Sequence, residues 1–319
     1  MKNIPVAYIT SSSYSGSTLL ALILNAHPAI GTISEVDAMG DIAKDPDYRC
    51  SCGEKIRECR FFIELRDAIR AKGLPFEVHD MDMLLRLSGN PRINAALTEK
   101  IPRVNSSIAE RVRDSIVDLI PWYRREKARM YSRNQAMFQA VLDLQKASVF
   151  LDNNKNPYRM LFLSKRFDVK VIYLFKNGIA GAYSYLKSAK YFGKSRTVEA
   201  ATHKWFREQI TICRCLARLD QAKYTQISYS ELCGNPEGTM KKICGYLGIE
   251  SLSLRDFANA PHHVVGNLMR LGNFSEIRET TDWRDNMSEV DIDRYRKTAS
   301  KYLPRLRALN PTIAEHVWL

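Results

Sequence analysis

Six residues near the N-terminus, Ser13-Tyr14-Ser15-Gly16-Ser17-Thr18, have the composition of an anion cradle. Small side chains and a glycine leave backbone N–H groups open, and a helix beginning at Ser17 would aim its dipole at the same point. Set against the pattern G-x-x-x-x-G-K-[ST], Gly16 is the second glycine, Ser11 stands where the first would be, Thr18 is the Ser/Thr, and Ser17 takes the lysine position. The missing lysine has a chemical consequence. Transfer of an ATP γ-phosphoryl group needs that lysine, with Mg²⁺, to neutralise a highly charged group. A loop without it suits a transferred group of lower charge, and sulfuryl carries one negative charge fewer than phosphoryl.

The elements that would position this loop are legible on both sides of it. Residues 4–10 form an apolar, β-branched run and read as a buried strand. Residues 17–26, STLLALILNA, read as a helix buried on most sides and ended by Pro28, and residues 30–33 as a second strand. The opening is a βαβ unit. Residues 40–60 are a polar excursion, and 61–72, 77–88 and 107–147 read as mostly helical, with Pro121 breaking the last stretch. Strands at 148–151, 169–175 and 224–228 then alternate with helices at 157–167, 178–189, 198–219 and 236–247, the last closed by Gly248. Alternation of this kind predicts a parallel sheet covered on both faces.

Composition narrows the class. Of 319 residues, 45% are apolar and 26% charged, with 15 Gly and 12 Pro, which excludes a disordered chain, a collagen-like chain and a disulfide miniprotein. No run approaches roughly 18 uninterrupted apolar residues. Lys and Arg number 48 against 35 Asp and Glu, a formal net charge of +13. Such a field attracts nucleotides, sulfated or phosphorylated substrates, nucleic acid or an anionic membrane face, without choosing among them. The seven cysteines are odd in number. Cys50, Cys52 and Cys59, in CSCGEKIREC, are three thiols without an obvious fourth ligand, and His203, His262 and His263 are scattered, so this reading assigns no metal and leaves free thiols or a local disulfide. The opening MKNIPVAYIT followed by a Ser-rich stretch lacks the pattern of a signal peptide, which sets a cytoplasmic expectation.

Residues 13–35, SYSGSTLLALILNAHPAIGTISE, resemble the opening of the sulfotransferases that use 3′-phosphoadenosine-5′-phosphosulfate (PAPS), in their bacterial and tyrosylprotein branches. Those carry an [RK]-S-G-[ST]-T-L loop, then His-Pro, then Glu; here these are Tyr14 to Leu19, His27-Pro28, and Glu35, 21 residues past Tyr14. VIYLFKNGIAGAYS (171–184) resembles the family's strand–loop–helix for the 3′-phosphate, with Lys176-Asn177 in place of Arg-Asp and Ser184 eight residues after Lys176. LDNNKNP (151–157) is similar to D-x-[ST]-K-x-P, and SYSELCGNPEGTMKKICGYLGI (228–249) to YEDL…P…I…LG. HHVVGNLMR (262–270) with Asp282-Trp283 is similar to the H-x-x-x-GN-x-x-R and D-x-x-W tail of bacterial members.

The resemblance implies an α/β fold with a P-loop-type parallel sheet flanked by helices. It also implies a single domain over 1–319, with a helical insertion at about 61–147 that would bind the acceptor. It implies PAPS as donor and a carbohydrate, lipid or small-molecule hydroxyl as acceptor. Glu35 would be the general base. Lys155 would stabilise charge on the oxygen between sulfur and the leaving 5′-phosphate. Tyr14, Ser15, Gly16, Ser17 and Thr18 would hold the 5′-phosphate, Lys176 and Ser184 the 3′-phosphate, and Asn267 and Arg270 would close over the nucleotide. No metal enters that mechanism. Tyr14 departs from the family's basic residue, and lysine for arginine at 176 keeps the charge but loses the bidentate fork. Two rivals stay open. A P-loop kinase would need a loop lysine and a Mg²⁺-binding Asp. A nucleic-acid-binding protein is suggested only by the charge, with YRREKARMYSR (123–133) reading as a solvated helix face; this reading names no nucleic acid, and leaves peripheral contact with an anionic membrane compatible with the charge.

Overall fold

Alternation along the strands sets the layers. In the computed structural model, which describes residues 4–36, 42, 45–101, 106–251, 253–254, 262–272, 277–279 and 281–318, the strands are β1 (Pro5–Ser11), β2 (Ile30–Ser34), β3 (Val149–Lys155), β4 (Asp168–Phe175) and β5 (Tyr224–Ser228). They form one sheet in the order β2-β3-β1-β4-β5, with every neighbouring pair parallel. Successive side chains point to opposite faces. Val6 and Tyr8 of β1 therefore join one core with Val171, Tyr173 and Phe175, while Ala7 and Ile9 join a second with Ile172, Leu174 and Ile227.

Helices cover both faces. They run α1 (Ser17–Asn25), α2 (Arg60–Arg70), α3 (Pro91–Thr98), α4 (Ser107–Val117), α5 (Pro121–Gln145), α6 (Pro157–Ser164), α7 (Gly178–Tyr191), α8 (Val198–Leu216), α9 (Tyr229–Gly234), α10 (Pro236–Leu247), α11 (Trp283–Asn286), α12 (Glu289–Ala299), α13 (Leu303–Leu309) and α14 (Pro311–Glu315). Leu20, Ile23 and Leu24 of α1 and Met240, Ile243 and Leu247 of α10 fill one face. Phe62 of α2, Phe138 of α5, Leu163 of α6 and Phe206 of α8 fill the other. Among the described residues no helix is long and apolar enough to cross a membrane.

Pro121 does break the 107–147 stretch, standing in the first turn of α5 after a three-residue gap from α4. The expected helix at 77–88 is absent, and the helix lies instead at α3, whose Asn90 cap accepts from the Arg92 and Ile93 amides ahead of Pro91. The reason is tertiary. Four carbonyls of residues 75–83 are taken by side chains from α5 and α6: Arg133 donates to Pro75, Met81 and Asp82, Asn134 to Met83, and Arg159 to Met83. With its acceptors filled from outside, the segment has no need of a helical ladder. β3 runs four residues past its expected end, because Asp152, Asn153 and Asn154 are polar yet buried. Part of the polar excursion, 40–41 and 43–44, lies outside the described residues.

The buried end of β3 is held by a dry ion pair. Arg159 Nε and Nη2 lie 2.9 and 2.8 Å from one oxygen of the fully buried Asp152 carboxylate, and Nη2 also donates to Asn134. Burial pushes the Asp152 carboxyl up, and Arg159 offsets part of that rise. Removing one partner strands the other charge, so Asp152→Ala should cost about 3–5 kcal/mol in urea unfolding. A loss below about 1 kcal/mol would mean that water reaches the pair.

Candidate active site

The loop after β1 is shaped to leave its amides open. Gly16 caps α1 in the left-handed region at φ +87°, with no side chain on the helix N-terminus. A Cβ there would lie 2.3 Å from the ring of Tyr229, so both backbone and space require glycine. Ser15 is buried with its hydroxyl 2.6 Å from that of Ser12, which also accepts from Gln209. Ser17 and Thr18 are buried in the first turn. Tyr14, also left-handed at φ +63°, is exposed and turns its ring toward Tyr185, with centroids 6.1 Å apart. At the loop's start the Ser13 amide and hydroxyl both donate to Glu208, which in turn pairs with Lys204.

Glu35 and Lys155 meet at the ends of adjacent strands. The pairing of β3 slips on both sides at this level. A step from Tyr8 to Thr10 spans Asp152 to Lys155, and a step from Thr32 to Ser34 spans Leu151 to Asp152. Each slip is a bulge, which bends a strand and re-aims the side chains beyond it. Ser34 and Lys155 both sit in the left-handed region, at φ +66° and +70°. Asn153 Nδ2 donates to Ser34 Oγ across the two bulges at 3.1 Å. As a result Lys155 Nζ donates to Glu35 Oε1 at 2.6 Å, with both side chains partly shielded from solvent.

The β4–α7 turn carries the third group. Asn177 caps α7 by accepting from Ile179 and Ala180. Lys176 is buried, its Nζ 3.2 Å from Ser184 Oγ and 4.7 Å from the centre of the Tyr229 ring. Burial pulls the Lys176 ammonium down, against the opposing pull of Glu279. The same Tyr229 ring packs on Gly16, so one aromatic side chain joins the loop to Lys176. Tyr229 lies within SYSELCGNPEG, but nothing in that stretch marks it as a bridge.

Asn267 and Arg270 lie on a different contact. Asn267 is exposed and caps the turn Leu268–Leu271 by accepting from Met269. Arg270, 4% exposed, stacks 4.2 Å over Tyr48 and donates to the carbonyls of Arg49 and Gly266. Its hydrogen bonds anchor the backbone of both segments. His27 is buried, accepts from the Ala29 amide at Nδ1 and donates to the Glu250 carbonyl at Nε2, a structural arrangement. Trp205 is buried in the core against Gly181.

A cleft of about 690 Å³ opens beside Glu35 and Lys155 and is lined also by Ser11, Ser13, Asn154 and Lys100. The Ser11 hydroxyl and both side-chain polar atoms of Asn154 are buried without a protein partner, as expected of groups that await a ligand. Lys204, Arg207 and Glu208 complete one wall from α8. Burial and the positive charges of Arg207, Arg214 and Arg305 push Lys100 down. Sequence reading missed Lys100, Lys204, Arg207 and Glu208, because charges on a long helix and a polar turn look like solvated surface. A smaller cavity of about 140 Å³ shares Asn156 with the cleft and extends among the helices, between Tyr123 and Arg218.

The profile of the sulfotransferase family matches residues 5–253. No curated protein sequence matches the chain. Among solved structures, mouse sulfotransferase SULT7A1 complexed with PAP is 12% identical, with a TM-score of 0.47, covering 99% of this chain and 90% of that one. Sulfotransferase STF1 from Mycobacterium tuberculosis is 16% identical, with a TM-score of 0.46 and coverage of 92% and 77%. The sulfotransferase from Alicyclobacillus acidocaldarius is 12% identical, with a TM-score of 0.44 and coverage of 96% and 95%. The family match alone spans the loop, both bulged strand ends and the Lys176–Ser184 turn, and on it the chain belongs to the sulfotransferase family.

Proposed function

We propose that the chain moves the sulfuryl group of PAPS to a hydroxyl of an acceptor held in the 690 Å³ cleft. The observation that carries this reading is the Glu35–Lys155 pair, which stands on the cleft that Ser11 and Ser13 of the phosphate-type loop also line. The residues fit such a donor. The glycine cradle at Gly16, the open amides of α1, the unpartnered hydroxyl of Ser11 and the buried Lys176 are groups an adenosine bisphosphate moiety would satisfy. The bound donor supplies an electrophilic sulfur and a phosphate leaving group.

In this mechanism Ser15 to Thr18 bind the 5′-phosphate through backbone N–H and hydroxyl groups, and Lys176 with Ser184 binds the 3′-phosphate. Tyr229 keeps those two subsites at a fixed separation. Glu35 accepts the acceptor's proton at Oε1 or Oε2 as the new oxygen–sulfur bond forms. Lys155, released from Glu35 by that proton, turns its ammonium to the oxygen that leaves sulfur. The cleft carries the cations Lys100, Lys155, Lys204 and Arg207, and these favour an acceptor that brings polar or anionic groups beside its hydroxyl, such as a carbohydrate. The helices between residues 60 and 145 form an insertion within one sulfotransferase domain, and Lys100 is their contribution to the cleft.

Three outcomes test this. Adenosine 3′,5′-bisphosphate should raise the melting temperature more than ATP with Mg²⁺, because it binds only the folded form; an equal or greater rise with ATP would favour a kinase. Glu35→Gln keeps size and hydrogen bonding but loses basicity, so single-turnover sulfuryl transfer should fall by roughly 10²–10⁴-fold while bisphosphate affinity barely changes. An unchanged transfer rate in folded protein would remove Glu35 from the mechanism. The third outcome concerns pH. Burial lowers the Lys176 pKa from its ordinary value, so above that lowered value the free protein must take up a proton to bind the 3′-phosphate. Bisphosphate affinity should therefore weaken as pH climbs toward about 10. Lys176→Ala should lose that alkaline limb in calorimetric titration, and a limb that persists would assign it elsewhere.

A further inference from the structure

Three thiols widely spaced from any other ligand in sequence acquire a fourth donor in the fold. The ligand atoms of Cys50, Cys52, Cys59 and His263 all lie within 4.8 Å of one another. Cys52 and Cys59 sulfurs are 3.7 Å apart, and His263 Nδ1 lies 3.5 Å from Cys59 Sγ and 3.8 Å from Cys50 Sγ. A tetrahedral ion with Zn–S near 2.3 Å and Zn–N near 2.0 Å would set sulfur–sulfur edges of about 3.8 Å and sulfur–nitrogen edges of about 3.5 Å. We propose that Cys50, Cys52, Cys59 and His263 bind one structural zinc ion that staples the segment 262–270 to the hairpin 48–56.

The backbone is built for the site. Residues 48–56 close a tight hairpin in which the Cys50 amide donates to Glu54, the Gly53 amide to Cys50 and the Ile56 amide to Tyr48. The turn sets Cys50 and Cys52 at one end. Cys59 is the cap residue of α2, where the helix dipole favours a thiolate. His263 is held from both sides. Its ring stacks on Phe61 at 4.9 Å, and its two neighbours are clamped by Ser51, which donates to the His262 carbonyl and accepts from the Val264 amide. Cys50 and Cys59 are buried, while Cys52 is exposed and gives an entry path. Three soft sulfurs and one imidazole select zinc among available divalent ions, and the compactness of the set suits a single ion. All four positions are filled by protein, so the site is closed and structural.

The staple bears on the candidate active site. Beyond His263 the same segment pairs with the end of β2 through the Val265 amide and the Ile33 carbonyl. The Gly266 backbone then lies against Glu35, where a Cβ would sit 2.7 Å from Glu35 Cδ, and the Gly266 amide donates to the Tyr48 hydroxyl. Hairpin, segment and Glu35 are therefore one packed unit, and the ion would fix its outer edge.

The test is elemental analysis of the full chain, purified under reducing conditions without chelator. We expect about one zinc per chain, falling below about a tenth in His263→Ala and Cys59→Ser. His263→Cys should keep about one zinc, since four thiolates also form a tetrahedral site, and this separates loss of a ligand from loss of folding. Cobalt exchanged into the wild-type protein should give the sulfur-to-cobalt charge-transfer band and visible bands of a tetrahedral thiolate site. Folded, reduced protein that takes up no zinc on reconstitution would overturn the proposal. So would iron as the bound metal, or a disulfide between two of the three cysteines as the dominant form.

Discussion

The arrangement depends on how β3 ends. A parallel strand that ran straight would send successive side chains to opposite faces and keep Glu35 and Lys155 apart. Bulges on both sides of β3, with Ser34 and Lys155 in the left-handed region, bend the two strand ends so that a carboxylate and an ammonium meet 2.6 Å apart. Left-handed backbone at non-glycine residues costs of order 1–3 kcal/mol each and persists only where the surroundings over-determine it. Here they do. Asn153 donates to Ser34, Thr10 donates to the Lys155 carbonyl, and Tyr8 donates to that of Asn156.

Behind those ends stands a buried polar network that joins the sheet to the helices between β2 and β3. Asp152 holds Arg159, and Arg159 holds Asn134 of α5 and the Met83 carbonyl. A second dry cluster joins α4 to α6 and α8, where Glu110 takes Arg214 of α8 and the Tyr158 hydroxyl. Such pairs add little net stability over apolar packing, but their geometry admits one docking of helix on sheet. That docking is what brings Lys100 to the cleft opposite α8.

Electrostatics and packing agree across the site. Lys176 loses water on burial, lies against Ser184 and the face of Tyr229, and is drawn the other way by Glu279. A cation in that condition is poised for an anion. The same Tyr229 ring closes on Gly16, so the distance between loop and lysine is set by one rigid aromatic instead of by two mobile segments. On the other side, Gly266 closes on Glu35, and Arg270 fastens that segment to Tyr48 and Arg49.

The parts of this protein that the sequence determined by itself are local ones. Short apolar, β-branched runs gave β1, β2, β4 and β5, proline and glycine positions gave the breaks at Pro121 and Gly248, and the glycine-centred loop at 13–18 set the expectation of an anion site without a lysine. Lys176 and Ser184 were legible through the resemblance of VIYLFKNGIAGAYS to the family's strand–loop–helix, and the fold sets Lys176 Nζ 3.2 Å from Ser184 Oγ. What the tertiary structure decided depends on contacts between distant residues. The polar tail of β3 reads as a loop until its buried partners are known, and the stretch at 77–88 reads as a helix until Arg133, Asn134 and Arg159 are seen to take its carbonyls. The Arg270 contacts to the backbone carbonyls of Arg49 and Gly266 beside Tyr48 likewise join residues far apart in the chain. His263 stands 204 residues from Cys59, and no spacing rule reaches that far, because only chain folding fixes which distant donors converge on one point.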